Sequence, residues 1–378
     1  MKLKLFIAYK KTLIRKELIA NPSDRLEKYL LWGLEDYESK GFVVKHNLDR
    51  LETPLETRIN RAINKFLKPF GAPGGDWMTI VKKRRSINSS KALLSTVDNV
   101  GVPAIILKRL GLIRAPIIYI SVGLLERIDK IKTETVRKFY LRSLRDIERF
   151  ICYSTVEAER FKALLKAGEE KVSFIPFGIM TSYFNPVQGM NQSWDIVSIG
   201  ADPMRDYPLL TKFAAKHKNL KILIVTSGNH SYVQKNKPEN LDCEFNITLE
   251  ETIKRIASGK LIVLPVKENS YTGATTTLLQ AMCLQKCVIV SDVSPIKNGY
   301  HLKNHLNCIM VEPGNYTELE KSILSTLSDN ALIEQIGING RKTVLENNTW
   351  ESFISKTTEI INSLINPPET PFERNRLY

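Results

Sequence analysis

Eleven short apolar runs, each followed by a stretch of helical periodicity or a turn, limit how this 378-residue chain can fold. In the first half they are Leu3 to Ala8, Phe42 to Lys45, Ala92 to Ser95, Ile117 to Ser121, Phe150 to Ser154 and Val172 to Pro176. In the second half they are Ile196 to Gly200, Lys221 to Val225, Leu261 to Pro265, Val288 to Ser291 and Ile309 to Val311. Between them lie helix-like segments such as Asp24 to Glu38 and Thr135 to Glu148. Strands separated in this way pair in parallel, with helices on both faces of the sheet. The spacing predicts an α/β chain of doubly wound, Rossmann-like sheets. One core seldom grows beyond about 250–300 residues, so two domains are expected. Turn-forming residues cluster from Asn185 to Ser193, where apolar periodicity lapses; this places the boundary there and gives domains 1–185 and 186–349. Ligands in such sheets bind at the carboxyl ends of the strands, so two facing domains are expected to define an interdomain cleft.

The five cysteines (Cys152, Cys243, Cys283, Cys287, Cys308) are an odd number without close metal-ligand pairing. They are expected to be buried free thiols of a reducing cytoplasm. The opening MKLKLFIAYKKTLIRKEL sets basic flanks around only five apolar or aromatic residues, too short for a signal-peptide core or a membrane span. A cytoplasmic protein, soluble or peripheral at the inner face of the plasma membrane, is the expectation. The net charge of +15 is unevenly placed: Arg58, Arg61, Lys65, Lys68, Lys82, Lys83, Arg84 and Arg85 stand against one acid, Asp76, so this segment carries +7 of it. Ile59, Ala62, Ile63, Phe66, Leu67 and Phe70 follow one helical face there, with the cations opposite or flanking it. Such a helix suits an anionic membrane surface or an acceptor, with Arg61, Lys65, Phe66 and Lys68 in contact; the alternative is a helix packed on the core by its apolar face. Zinc-finger and RRM patterns are absent, and nucleic acid is not an expected partner.

The stretch from Ser270 to Asp292, SYTGATTTLLQAMCLQKCVIVSD, puts a Gly- and hydroxyl-rich turn at the start of a short helix between two apolar runs. Backbone N–H groups of Ala274, Thr275 and Thr276 lack helical acceptors there, and the helix dipole favours negative charge. A phosphate suits that position; an ordinary βαβ turn with Thr caps is the alternative. His46, His217, His230, His301 and His305 show no metal spacing, and neither a GxSxG nor a P-loop occurs, so hydrolase and NTPase chemistry have no anchor. Gly74 to Trp77 (GGDW) is expected to be a flexible elbow after the basic helix, or an acceptor-side lid.

The block from Ile175 to Trp350 resembles the second half of a GT-B fold glycosyltransferase of family four, the large retaining group that uses nucleotide sugars. The landmarks occur in order: IPFGI, VSIGADPMRDYPLL, TTTLLQAMCLQKCVIVSD, CIMVEPGN and a helix beginning TELEKSILSTL. Weaker likeness in STVDNVGVPAIILKRLGLIRAPIIYIS and ICYSTVEAERF extends it over most of the chain. By this resemblance residues 350–378, a helix and tail, return to the first domain.

The resemblance implies transfer of a sugar from a UDP- or GDP-linked donor to a hydroxyl acceptor, with retention. The leaving phosphate itself assists deprotonation of the acceptor, with no protein nucleophile and no metal or other cofactor. The leaving group gains negative charge, which the site must stabilise. Arg205 stands roughly where the family carries a Lys and is the candidate cation; the alternative is a loop Arg paired with Asp202 or Asp206. The N–H groups of Ala274, Thr275 and Thr276 would hold the distal phosphate, and Gly200, Thr272 and Gly273 would also line the donor site. Ser227 with Gly228, and Phe245 with Asn246, would meet the base, and Gln280 the ribose. Gln280 replaces the second Glu of the family's E-x7-E motif and Thr272 the first; Ala201 stands where many members carry Arg, and Val122 where many carry His. Glu268, with Lys267 beside it, is a candidate to fill the missing carboxylate position. Asp98 and Asn99 would face the acceptor or donor sugar, unless they form an Asx turn capping the next helix. The acceptor suggested by the charge is a glycan or lipid-linked glycan in bacterial surface glycan or glycolipid assembly. A nucleotide-sugar epimerase of the same fold and a non-catalytic nucleotide-sugar or glycan-binding relative are the alternatives.

Overall fold

The computed structural model describes residues 3–20, 26–49, 51–187, 189, 192–235, 237–271 and 273–366. They form two compact units. The first takes the chain up to Tyr153, then Glu157–Ile175 and the residues from Ile354 onward; the second takes Ser154–Val156 and Pro176–Phe353.

In the first unit, Lys4–Ala8 (β1), Val43–His46 (β2), Ala92–Ser95 (β3), Ile117–Ser121 (β4), Arg149–Cys152 (β5) and Val172–Phe174 (β6) form a parallel sheet in the order β2-β1-β3-β4-β5-β6. The second unit builds its own parallel sheet from Trp194–Ile199 (β7), Ile222–Thr226 (β8), Leu241–Phe245 (β9), Gly259–Leu264 (β10), Val288–Ser291 (β11) and Ile309–Val311 (β12), in the order β12-β11-β10-β7-β8-β9. Every residue of β4, β8 and β11 is buried. Helices cover both faces, which is why these strands read as unbroken apolar runs. Phe6, Leu93, Tyr119, Phe150 and Phe161 centre the first core, with Phe150 and Phe161 stacked at 4.6 Å. Ile196, Leu210, Phe213, Ile224 and Val263 centre the second. Each such side chain contributes about 1.5–3 kcal/mol on burial.

The strand orders fix where ligands can go. The order in which successive strands are added reverses between β1 and β3 in the first unit and between β7 and β10 in the second. Loops leaving the carboxyl ends of those strands diverge and open a crevice at each switch point.

Four expectations need correction. A twelfth strand, β9, lies at a sheet edge; in its sequence LDCEF only Leu241 is buried, so it lacks a continuous apolar signal. The segment expected as one helix from Asp24 to Glu38 is described only from residue 26, as a 3-10 turn Leu26–Leu31 and a short helix Leu34–Ser39. Trp32 and Gly33, both at positive φ, separate them. GGDW is not a free elbow: Asn64 bonds both the N–H and the C=O of Gly75 at 3.0 Å, and Asp76 N–H donates to the Asn99 carbonyl at 2.7 Å. A Cβ on Gly75 would stand 2.1 Å from that same carbonyl, so only glycine permits the approach.

The basic helix, Pro54–Leu67, follows its apolar pattern only in part: Leu67 and Phe70 pack against the core, while Ala62 and Phe66 are exposed. A capping box of Thr53 and Glu56 starts it. Its buried residues are Glu56 and Asn60, Asn60 donating to Asp76 Oδ1 at 2.8 Å. Leu55 and Phe66 are left 66% and 70% exposed.

Glu157 braces the turn after β4. Its Oε1 accepts from Ser121 Oγ at 2.7 Å and Gly123 N–H at 3.1 Å. Burial pushes its carboxyl up to about 7, although those two donors pull the other way. The folded chain therefore keeps this proton between the ordinary carboxyl value of 4.5 and about 7, where the unfolded chain has released it. Stability from this group is complete below 4.5 and is lost as pH rises through about 7. Urea unfolding should show a decline on the order of 3 kcal/mol over that range, and Glu157→Gln should remove this component of the slope; an unchanged slope in the variant refutes the assignment.

Candidate functional site

Three adjacent strands of the second unit, β10, β7 and β8, send their carboxyl-end loops to the same sheet edge. Arg205 lies in the loop after β7, and its side chain is only 2% exposed. Nη2 donates to Thr277 Oγ1, while Nε and Nη1 have no partner among the described residues. Gly200 makes this burial possible. At φ 149° it passes so close to the guanidinium that a Cβ there would stand 2.2 Å from Nη2. Tyr207 OH at 2.5 Å and Thr226 Oγ1 at 2.7 Å both donate to the Gly200 carbonyl and fix the loop. Burial lowers the Arg205 pKa below the usual arginine value, with Tyr207 and Asp202 opposing, but an arginine stays cationic.

The partner of Thr277 belongs to the helix Thr275–Cys283, whose N-cap, Ala274, supplies no side-chain bond. The backbone N–H groups of Thr275, Thr276 and Thr277 meet no acceptor among the described residues. Thr275 Oγ1 and, at the end of β8, Ser227 Oγ are also buried without partners. A buried guanidinium beside an open helix start makes a site for a compact polyanion, held by charge-assisted bonds. Asp202 borders it, with Oδ1 2.8 Å from Met204 N–H and both oxygens 3.2 Å from Tyr271 OH. Burial raises the Asp202 pKa.

Several sequence-derived candidates meet here. Gly200, Arg205, Gly273, Ala274, Thr275 and Thr276 lie on the two loops that the Arg205–Thr277 bond joins. Gln280, 4% exposed, shares the helix face of Thr276 and Thr277. Phe245 ends β9, the neighbour of β8. Thr272 lies outside the described residues. Arg205 is within ion-pair distance of neither Asp202 nor Asp206, so the alternative of a loop ion pair does not hold. Glu268 and Lys267 are exposed, and neither side chain has a partner among the described residues; Glu268 does not contact Arg205.

The first unit holds a cavity of about 740 Å³ at its own switch point, lined in part by Lys10, Arg15, Asn64, Lys68, Val97, Asp98, Asn99, Val122 and Arg127. Asp98 does not cap its helix. Its Oδ1 accepts from Tyr119 OH at 2.5 Å and its Oδ2 lies 3.4 Å from Arg127. Burial raises its pKa, and those two groups oppose the rise. Arg61, Lys65 and Phe66 are exposed on the basic helix, and Lys68 follows it into the cavity wall.

A sequence profile of the family described as glycosyl transferases group 1 matches residues 204–329, the segment that opens with the Arg205 loop and contains the open helix start. Sucrose-phosphate synthase from Thermosynechococcus elongatus is similar in structure, with a TM-score of 0.71 at 16% identity over 97% of this chain and 100% of that one. Anabaena HepE gives 0.69 at 13% over 96% and 100%, and a glycosyltransferase from Rickettsia africae gives 0.62 at 13% over 97% and 100%. Among curated protein sequences none matches. The chain has the GT-B fold, and a third of it matches the group 1 glycosyl transferase family.

Sequence reasoning missed Thr277, Tyr207 and Tyr271, which hold the Arg205 loop, and Lys10, Arg15 and Arg127 in the cavity. Lys10 and Arg15 directly follow β1, the strand at the switch point, and that position was the available signal. Replacing Arg205 by Met removes a buried cation without a counter-ion, which should leave the free protein as stable as before or up to about 3 kcal/mol more stable. Inorganic pyrophosphate should raise the thermal midpoint of the parent well above the rise in Arg205→Met; an equal rise in both would show that the anion binds elsewhere.

Proposed function

We propose that the chain transfers a sugar, with retention, from a nucleotide-sugar donor held by the second unit to a hydroxyl acceptor. The observation that carries this reading is the buried Arg205 guanidinium, with two unpartnered nitrogens, set against the open start of the Thr275–Cys283 helix. Positive charge fixed in a water-poor pocket acts where a leaving diphosphate gains negative charge, and it needs little rearrangement as the bond breaks. In this reading the diphosphate lies between Arg205 and the N–H groups of Thr275 to Thr277, and the ribose is near Gln280. The leaving phosphate takes the acceptor proton, without a metal, and Asp98 orients the acceptor. Anabaena HepE is described in complexes with UDP and glucose and with UDP-glucose, which makes UDP the first nucleotide to try, with GDP next.

The basic helix supports a peripheral place at the cytoplasmic face of a membrane and an acceptor in surface glycan or glycolipid assembly. Leu55, Ile59, Ala62 and Phe66 form one stripe at helical spacing, with Arg58, Arg61 and Lys65 along its flank, and the helix turns Glu56 and Asn60 inward instead. No helix among the described residues is long and apolar enough to cross a membrane.

A screen of UDP-, GDP-, ADP- and CMP-sugars, with and without EDTA, tests the donor assignment. One nucleotide should raise the thermal midpoint and its sugar should be hydrolysed slowly in EDTA, both effects being lost in Arg205→Ala. Binding without turnover in the presence of candidate acceptors would point instead to a non-catalytic relative. Sedimentation with phosphatidylglycerol vesicles tests the helix: Leu55→Ser with Phe66→Ser should lower partitioning at least about a hundredfold. Equal partitioning of parent and variant removes the membrane assignment.

A further inference from the structure

We infer that the cavity of the first unit binds the phosphate, or an equally compact oxyanion, of an anionic acceptor. The acceptor role rests on the glycosyltransferase reading above; the anion site rests on the cavity alone. Four cations line it, Lys10, Arg15, Lys68 and Arg127, against one carboxylate, Asp98. Both Asp98 oxygens are already engaged, by Tyr119 and Arg127, which leaves the other three cations uncompensated by it. Lys10 and Lys68 have no acidic partner among the described residues. Arg15 is anchored by neutral groups: Nε donates to the Leu30 carbonyl at 3.0 Å and Nη1 to the Lys10 carbonyl at 2.9 Å. Its Nη2 has no hydrogen-bond partner among the described residues and stays available for a ligand.

Several cations converging on one concave surface repel one another, and an acceptor offering only neutral hydroxyls leaves that repulsion in place. An oxyanion relieves it, and low-dielectric walls focus the field on the bound group. Lys10 and Arg15 follow β1, Arg127 follows β4, Lys68 stands in the turn after the basic helix, and the pinned Gly71 to Gly75 segment closes one side. Ala72, Val97 and Val122 supply apolar wall. The volume suits a sugar phosphate or a polyol phosphate.

Calorimetric titration with glucose 6-phosphate and glycerol 3-phosphate, against glucose and glycerol, tests this. The phosphates should bind and the neutral compounds should not. The Lys10→Gln/Arg15→Gln variant should weaken phosphate binding at least roughly tenfold, while Arg205→Gln should leave it unchanged. Lys68→Gln, at an exposed side chain, should weaken it in the same direction even if the double variant is poorly folded. Short-chain phosphatidic acid separates the sources of the phosphate: tighter binding than glycerol 3-phosphate, with the same dependence on Lys10 and Arg15, assigns a lipid phosphate, and equal binding assigns a soluble one. Binding lost in Arg205→Gln but intact in the cavity variants overturns the inference, as does failure to bind either phosphate by a protein that binds a nucleotide. A protein that binds glucose 6-phosphate through Lys10 and Arg15 but no nucleotide keeps the anion site and loses its acceptor role.

Discussion

A cation buried without a counter-ion is the constraint around which the second unit is built. Taking a guanidinium out of water costs several kcal/mol unless its donors are satisfied, and Arg205 leaves Nε and Nη1 unsatisfied within the chain. The surroundings make the burial possible but do not neutralise it. Gly200 yields the space of a side chain, Tyr207 and Thr226 hold the loop through its carbonyl, and Thr277 takes only one nitrogen. The helix start opposite adds its own unmet donors. Such an arrangement is tolerated because the rest of the sheet is apolar and closely packed.

The two units reach their binding surfaces by the same rule with different strand orders. Reversal between β7 and β10 brings the Arg205 loop against the Thr275–Cys283 helix. Reversal between β1 and β3 brings Lys10 and Arg15 against Val97 to Asn99. The first surface is deep and specific, with one buried guanidinium and several backbone donors. The second is a cavity of about 740 Å³ whose Lys10, Lys68 and Arg127 are exposed. A deep site of fixed donors suits a diphosphate whose geometry is constant, and a basic cavity suits a group that arrives on a larger molecule.

Parallel strands buried on both faces write themselves into the sequence as unbroken apolar runs, which is why central strands such as β4, β8 and β11 were legible and the edge strand β9, with only Leu241 buried, was not. The open helix start was legible for a similarly local reason: unmet N–H groups follow from where a helix begins, whatever packs around it. Resemblance to a family paired Arg205 with the open helix start, but its depth was not in the sequence, because depth depends on Gly200, Tyr207 and Thr226 meeting around it. The basic cavity was illegible as a unit. Lys10, Arg15, Lys68 and Arg127 are separated by up to a third of the chain and share no motif.

The basic helix marks the division most clearly. Its sequence determined that it would be a helix, where it would start and which residues would share a face, since capping and periodicity act over three or four positions. Which face turned inward was decided only by what it met. Asp76 and Gly75 offer hydrogen-bond partners to Asn60 and Asn64, so these polar residues pack inward beside Leu67, and Leu55 and Phe66 stay outside. Local spacing sets the order of side chains around an element. Burial depends on complementary groups supplied by distant parts of the chain, and only the folded structure brings them together.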